Sequence, residues 1–301
     1  VGASLAALAE AALQAARDTI DGEVGLAVIG MGRLGGAQLS YASDLDILVV
    51  SAATSPAEDA AANGEVESLL RLVQGPTPVT RLYTVDLGLR PEGRSGALSR
   101  TIEGYRSYYE QWAKTWERQA LIRARPVAGD AELGARFMAM VEPWVWGPLT
   151  TEQVREVRRM KARIERERIP PREDPQFHLK LGKGSLSDVE WTVQLLQLTH
   201  GVRGQNTLTA LAALEEAELI SRPDAEALAE SYRFCERTRN RLALINSLRG
   251  TGWDSLPADG NELAQLARSL GTTGPKLRDR YRQVTRRARV VMERLFYGKD
   301  E

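Results

Sequence analysis

The spacing of apolar residues changes along the chain and divides it near residues 130–150. Before this point short apolar runs alternate with helical patterns, and after it apolar positions recur every three or four residues, the period of an α-helix. The predicted strands are 24–30, 44–50, 81–90 and 121–129. The predicted helices are 4–17, 65–73, 101–120, 131–142, 151–168, 185–200, 206–218, 223–248, 260–270 and 276–297. We therefore predict an α+β fold with a mixed first domain, 1–135, and an all-helical second domain, 136–301.

Three local patterns sharpen the prediction for the first domain. Residues 81–90 alternate apolar and polar side chains, which is typical of a strand with one buried face. The polar segment 51–64 is expected to connect the second strand to a helix. One face of the helix that Thr101 caps is predicted to be core, and its apolar side chains are Ile102, Tyr105, Tyr109, Trp112 and Trp116.

Composition excludes several classes of protein. Hydrophobic residues make up 43% of the 301 residues and charged residues 27%, which is ordinary for a chain that buries a core. No apolar run reaches the roughly 18 residues that a membrane helix needs. One cysteine, Cys235, and two histidines exclude a disulfide framework and make a zinc site improbable. Because the formal net charge is zero, general nucleic-acid binding is not expected. We expect a cytoplasmic location and, since the chain begins at Val1, a piece of a longer protein.

A glycine-rich segment follows the first strand. Residues 30–35 fit G-x-G-x-x-G, the pattern of a dinucleotide-binding turn. That fold needs a crossover helix of a dozen or more residues before the next parallel strand, but only seven residues separate Gly36 from Asp44. We therefore reject dinucleotide binding. The pattern of a P-loop, G-x-x-x-x-G-K-[ST], does not occur in the chain.

Carboxylates at the second and third strands suggest a different chemistry. Asp44 and Asp46 alternate on one strand, so both point to the same face, and Asp86 lies in the next predicted strand, where Asp is disfavoured. If these strands pair, the three carboxylates converge and repel each other unless a cation or a proton intervenes. Oxygen-only ligands favour Mg²⁺, with Mn²⁺ possible, and two such ions suit nucleotidyl transfer. The alternative is that Asp44 and Asp46 only cap the edge of a strand and that Asp86 faces solvent, in which case no metal site exists.

Together these features resemble the nucleotidyltransferase superfamily that includes DNA polymerase β. Four longer segments are similar to the glutamine synthetase adenylyltransferase family, whose bifunctional members add and remove AMP. They are GMGRLGGAQLSYASDLDILVV, VDLGLRPEGRSGAL, WAKTWERQALIRARPVAGD and LKLGKGSLSDVEWTVQLLQLTHG, and they cover about residues 24–200. The resemblance implies a polymerase β-like domain followed by a helical domain. The Y-x-S-D-L-D form of the motif, with Tyr41 before Ser43, resembles the C-terminal half of the family, which adenylylates.

The resemblance also implies a reaction and its residues. AMP would pass from MgATP to a tyrosine hydroxyl of glutamine synthetase, releasing pyrophosphate and lowering nitrogen assimilation. Asp44, Asp46 and Asp86 would be catalytic and bind metal, while Gly35, Gly36 and Ser43 would contact ATP. A nitrogen-signalling protein would act through the full-length enzyme. The family commonly has Arg at the position of Gly88, which leaves Arg90 as the remaining candidate for a phosphate contact.

Three alternatives remain open for the function. The chain could be the deadenylylating, phosphorolytic half; it could use another acceptor; or it could be an inactive binding module, against which the intact carboxylates count. The Lys180–Ser185 loop could bind an anion or form a tight turn in which Asp188 favours the helix dipole. Arg123 and Arg125 are expected mainly to pair with acids of the first domain, and His178, His200 and Cys235 are expected to be structural.

Overall fold

A computed structural model describes residues 1–169, 173–246, 253–258 and 260–299. The chain forms two compact units. Unit 1 is Val1–Gly147 together with Arg203–Asn206, and unit 2 is Pro148–Val202 together with Thr207–Glu301. The division into domains after residue 135 stays a prediction. A mixed α+β fold is confirmed, because unit 1 contains strands and helices whereas the regular elements of unit 2 are helical in the residues that the structure describes.

A small mixed sheet forms the centre of unit 1. Its strands are β1 (Leu26–Gly30), β2 (Leu45–Ser51), β3 (Val85–Asp86), β4 (Arg100–Thr101) and β5 (Arg125–Gly129). The strand order is β3-β2-β1-β5, and β4 pairs with the far end of β2. β1 pairs antiparallel with β2 and with β5, whereas β3 and β4 both run parallel to β2. Both central strands are almost entirely buried, as expected of continuous apolar runs.

Six helices complete unit 1, and their starts have local causes. They are α1 (Gly2–Asp18), α2 (Gly32–Gly35), α3 (Pro56–Gln74), α4 (Ile102–Gln111), α5 (Thr115–Leu121) and α6 (Ala131–Trp146). The side chains of Ser55, Thr101 and Asp130 each accept a hydrogen bond from a first-turn N–H, which satisfies a donor that the helix leaves unpaired. α1 and α3 pack on one face of the sheet through apolar side chains such as Leu13 and Val66.

Two predictions for unit 1 are wrong. The predicted strand 81–90 is reduced to Val85–Asp86, and the chain turns from Leu87 onward, where Arg90 donates to the Leu87 carbonyl. The predicted connection 51–64 is helical from Pro56, because Ser55 caps the helix and Pro56 fits its first turn.

The aromatic face beginning at Ile102 is only partly as predicted. Tyr105 and Tyr109 are buried, and the Tyr105 hydroxyl donates to the Val49 carbonyl at 3.1 Å. The helix ends at Gln111 instead of running to 120, and Trp112 is 72% exposed. The change of direction after residue 111 therefore moves Trp112 out of the core.

In the residues that the structure describes, unit 2 contains six α-helices. They are α7 (Thr151–Glu167), α8 (Leu186–His200), α9 (Thr207–Glu216), α10 (Arg222–Ile245), α11 (Gly260–Ser269) and α12 (Gly274–Leu295). These match the helices predicted from the 3.6-residue period, although the end of the predicted range 223–248 lies outside the described residues. α8, α10 and α12 supply most of the core, which includes Val189, Tyr232 and Ala288. Cys235 lies in this core, as expected of a small apolar side chain.

Within the part of the chain that the structure describes, no helix is long and apolar enough to cross a membrane.

Candidate active site

The end of β1 and the start of β2 meet at the glycine-rich segment. β1 ends at Gly30, and the single helical turn α2 follows directly. The Met31 N–H donates to the Asp46 carbonyl at 2.8 Å, so the backbone pairing of β1 with β2 continues one residue beyond Gly30. The glycine segment is thereby held against the strand that carries Asp46.

Asp46 and Asp86 lie side by side on neighbouring strands. β2 and β3 pair in parallel with Leu45 opposite Val85 and Asp46 opposite Asp86, and the Leu45 N–H donates to the Thr84 carbonyl at 2.8 Å. Paired strands lie about 4.8 Å apart and residues in register project to the same face. Asp46 is half-buried and Asp86 is exposed. The strand pairing on which the predicted approach of Asp86 depends is therefore present, and the catalytic role of these carboxylates stays a prediction.

Asp44 has a different setting. It is exposed and lies one residue before β2 begins. In residues 1–169, 173–246, 253–258 and 260–299, no group of three or more His, Cys, Asp or Glu side chains is arranged to hold a metal ion. The structure thus brings two of the three predicted carboxylates into register, and a three-carboxylate metal site stays a prediction. The donor set itself, oxygen only, fits Mg²⁺ or Mn²⁺.

One oxygen of Asp86 is held by its own turn. The Gly88 N–H donates to Asp86 Oδ1 at 2.7 Å. A Cβ at residue 88 would lie 2.9 Å from the same oxygen, so glycine leaves the carboxylate room. The absence of a side chain at Gly88 therefore favours this orientation of Asp86.

Gly32 is a site residue that the sequence reasoning missed. Its φ is +51°, and a Cβ at this position would lie 2.3 Å from Asp46 Oδ2. Any side chain there would displace the carboxylate. The signal was present in the second glycine of G-x-G-x-x-G, but that pattern was considered only for dinucleotide binding.

Gly35 and Gly36 are explained first by packing. A Cβ at Gly35 would lie 1.9 Å from the Arg123 carbonyl oxygen, which only a glycine avoids. The Gly35 N–H donates to the Met31 carbonyl at 2.8 Å and the Gly36 N–H to the Gly32 carbonyl at 3.2 Å. Both N–H groups are therefore engaged in the α2 turn, and their contact with a triphosphate stays a prediction.

Ser43 organises the chain just before β2. Its Oγ accepts from the Ser40 N–H at 3.0 Å and lies 2.8 Å from Ser40 Oγ. These bonds close a turn directly before Asp44, and β2 begins at Leu45. Contact of Ser43 with ATP also stays a prediction.

Two arginines brace the loops around the carboxylates. Arg90 is buried, and its guanidinium donates to the carbonyls of Leu87, Arg94 and Gly96 at 2.9–3.0 Å. Arg90 therefore shapes the turn after β3 in this structure. Arg125 forms a salt bridge with Glu10 at 2.5 Å, so the expectation that it pairs with an acid of the first domain is confirmed.

In unit 2, Asp188 lies in a buried ionic cluster. It is fully buried, lies 2.6 Å from Lys161 Nζ and 2.9 Å from a guanidinium nitrogen of Arg289, and accepts from the Gly184 N–H at 2.6 Å. Burial alone would raise the pKa of the neighbouring Glu165 carboxyl. The positive charges of Lys161 and Arg289 have the larger opposite effect, so the pKa of Glu165 lies below its ordinary value. The tight turn that includes Asp188 is therefore present in this loop, and anion binding by its lysines stays a prediction.

Comparison with known proteins covers most of the chain. The family model described as "Glutamate-ammonia ligase adenylyltransferase" matches residues 1–140, and the one described as "GlnD PII-uridylyltransferase" matches residues 155–296. Three relatives bear the name "Bifunctional glutamine synthetase adenylyltransferase/adenylyl-removing enzyme". That of Streptomyces coelicolor is 48% identical over 90% of this chain and 28% of its own length. That of Nocardia farcinica is 46% identical over 90% of this chain and 28% of its own length. That of Mycolicibacterium smegmatis is 44% identical over 98% of this chain and 31% of its own length.

The chain therefore spans less than a third of the length of the curated relatives it matches. The four motifs quoted above lie within the matched ranges, and the aspartates paired in register fall in the adenylyltransferase match. The chain belongs to the glutamine synthetase adenylyltransferase family.

Proposed function

We propose that unit 1 transfers AMP from MgATP to a tyrosine hydroxyl of glutamine synthetase and releases pyrophosphate. The observation that carries this proposal is the pairing of Asp46 with Asp86 beside a turn in which Gly32 has no side chain. Two adjacent carboxylates on one sheet face suit divalent-metal nucleotidyl transfer. The names of the relatives supply the substrate class for the proposal.

The proposed architecture is a polymerase β-like catalytic domain over residues 1–135, followed by a helical domain over 136–301. It is supported by a mixed sheet in which the glycine turn joins antiparallel strands and an aspartate-bearing strand adds in parallel. The aspartates then lie at one end of the sheet, beside the glycine turn, where a nucleotide would have access.

Each carboxylate has a proposed role. Asp44, Asp46 and Asp86 would hold Mg²⁺, which when bound supplies charge stabilisation for the phosphates. Asp86 would also accept the proton of the tyrosine hydroxyl, whose ordinary pKa of about 10 requires help at neutral pH. The tyrosine oxygen forms a bond to the α-phosphorus as the bond to the pyrophosphate oxygen breaks. Gly35, Gly36 and Ser43 would position the triphosphate, which requires the N–H groups of α2 to be shared with the ligand.

The second candidate is removal of AMP by phosphorolysis, which the printed names of the relatives also include. We favour addition because the Tyr41-x-Ser43-Asp44 form of the motif resembles the adenylylating half. We further propose that a nitrogen-signalling protein regulates the reaction through parts of the full-length protein beyond this chain.

Mass spectrometry of glutamine synthetase tests both candidates. The chain is incubated with unmodified glutamine synthetase and MgATP, and separately with AMP-modified glutamine synthetase and phosphate. A gain of AMP on tyrosine in the first mixture with no loss in the second is the expected result. The reverse pattern would assign the chain to AMP removal, and no change in either mixture would contradict the proposed acceptor.

A further inference from the structure

Unit 2 contains a cavity that the proposed transferase reaction does not use. Its volume is about 590 Å³, within the range of small-molecule sites. The end of α7, the 175–183 segment and α12 line it, it is open to solvent on one side, and every described lining residue belongs to unit 2. The proposed transfer chemistry lies in unit 1, so this cavity requires a separate explanation.

The wall of the cavity carries an excess of positive charge. Lys183, Arg282, Arg286 and Arg289 line it, against one acid, Glu165. Arg289 is paired with Glu165 at 3.0 Å, and Arg282 lies 3.2 Å from the exposed Asp279. Within the described ranges, the side chains of Lys183 and Arg286 are exposed and have neither a hydrogen bond nor an ion pair. Two cations without a partner among the described residues therefore line one concave surface.

The backbone around Lys183 is fixed by contacts that only glycines permit. A Cβ at Gly182 would lie 2.4 Å from the His178 carbonyl oxygen, and a Cβ at Gly184, whose φ is +74°, would lie 1.8 Å from the Thr285 carbonyl oxygen. The Gly184 N–H donates to Asp188 at 2.6 Å, and its carbonyl accepts from Ser231 Oγ at 2.6 Å. Both contacts are buried. The exposed Lys183 side chain therefore extends into the cavity wall from a backbone whose neighbouring glycines are tightly packed.

The rest of the lining is largely apolar. Ile169, Leu181, Tyr281 and Val290 contribute to it. The Tyr281 hydroxyl donates to the His178 carbonyl at 3.2 Å, so this ring presents carbon rather than a free polar group. An inorganic ion would leave this surface unused, whereas an organic ligand would bury it.

We propose that this cavity binds an organic anion, in which an apolar body lies against Ile169, Leu181 and Val290 and a phosphate or carboxylate contacts Lys183 and Arg286. Arg282, whose own partner is exposed, is placed to add a third contact. Arginine and lysine bind both anionic groups well, which is why the class is defined by charge and an apolar body.

Binding of anilinonaphthalene sulfonate (ANS), a fluorescent sulfonate on an aromatic body, tests the proposal directly with the whole chain. The double variant Lys183→Ala/Arg286→Ala should weaken ANS binding about tenfold or more, as expected for the loss of charge-assisted contacts. Val290→Trp, which keeps every charge but fills space at a half-exposed position, should weaken it as well. The matched control is Lys276→Ala/Arg233→Ala, an exposed pair of the same unit outside the cavity lining.

Equal losses in the control pair and the cavity pair would mean non-specific attraction and would overturn the proposal, as would unchanged binding in Val290→Trp. Circular dichroism of each variant shows whether a loss reflects misfolding. Competition by phenyl phosphate and by benzoate then identifies the preferred anion, since displacement by one alone selects phosphate or carboxylate. Displacement by neutral benzyl alcohol at equal strength would contradict an anion site.

Discussion

Asp46 and Asp86 are register partners across two parallel strands, although thirty-nine residues of chain separate them. The pairing depends on β3, which contains only Val85 and Asp86. Two carboxylates held this close repel each other, and a bound divalent cation would remove the repulsion. The short strand therefore places the carboxylate of Asp86 beside the strand that carries Asp46.

We expect Asp46→Asn to abolish AMP transfer while the fold remains intact, because the amide keeps the shape of the side chain and removes a charge from a repelling pair. Asp44→Asn should do the same if Asp44 joins the metal site. Glutamine synthetase modification is measured by mass spectrometry, and Mg²⁺ with ATP is titrated by calorimetry. Asp59→Asn, an exposed change in the first turn of α3, is the control. Transfer at the parental rate in Asp46→Asn would refute the metal role.

Asp86→Asn should reduce turnover far more than ATP affinity. The proposed role of Asp86 concerns the attacking hydroxyl, which matters in the transition state, and loss of a general base typically costs about 10²–10⁴-fold. Rates at saturating ATP and ATP binding by calorimetry separate the two effects. If ATP binding collapsed while turnover of bound ATP persisted, Asp86 would be a binding residue instead.

Gly32→Ala should impair catalysis and destabilise the fold. The positive φ alone costs an alanine about 1–2 kcal/mol, and the new Cβ would push Asp46 out of place. Gly64→Ala is the matched control because nothing lies within 4 Å of its Cβ in α3, so it should stabilise by about 0.5–1 kcal/mol. Urea denaturation and the transfer assay report the two effects. Full activity in Gly32→Ala would show that the glycine has no part in placing Asp46.

Asp188→Asn should cost about 3–5 kcal/mol of unfolding free energy, because the fully buried Lys161 and the Arg289 guanidinium lose their buried carboxylate and keep only the partly exposed Glu165 as a shared acid. Glu167→Gln breaks an exposed pair with Arg163 on the same helix and should cost less than about 1 kcal/mol. Urea unfolding of both variants gives the comparison. Similar losses in the two would mean that the buried cluster is not a principal support of unit 2.

The stability of unit 2 should depend on His178 at acid pH. Burial lowers the pKa of its imidazole below the ordinary 6.5, against the opposing charges of Asp254 and Glu173, and Nδ1 accepts from the Lys180 and Leu181 N–H groups. The unfolded chain therefore takes up a proton first, so stability is lost as pH falls below about 6.5. His178→Asn, which keeps an acceptor, should flatten this dependence between about pH 7.5 and 5, whereas the exposed His200→Gln should not. Identical pH profiles for both variants would contradict the assignment.

The positions of the helices that the structure describes in unit 2 could be predicted closely, because long amphipathic periods indicate helices with little dependence on distant residues. The start of α3 was missed even though Ser55 and Pro56 are strong helix-start signals, because the Ala-rich stretch that follows has no apolar periodicity. The helix beginning at Ile102 was overextended because Trp112 continues the aromatic spacing, yet the chain turns before it.

The part of the candidate site that lies in one short segment of the sequence could be predicted. Asp44, Asp46 and the glycine-rich segment lie within seventeen residues. The pairing of Asp46 with Asp86 followed only from assuming that their strands are neighbours. The buried cluster of Lys161, Asp188 and Arg289 could not be predicted, because these residues lie on three different helices. The sequence does not distinguish them from charged residues that face solvent.

The brevity of β3 has a thermodynamic consequence. Five residues of β1 pair with β2, whereas only two residues of β3 do so, at the edge of the sheet. Detaching such an edge requires far less free energy than global unfolding. In mild denaturant the amide of Leu45, which donates to Thr84, should exchange its hydrogen well before that of Leu48, which faces Ile29 of β1. The pairing of Asp46 with Asp86 would then be lost while circular dichroism still shows the native helices. Activity should therefore disappear at a lower urea concentration than helicity does.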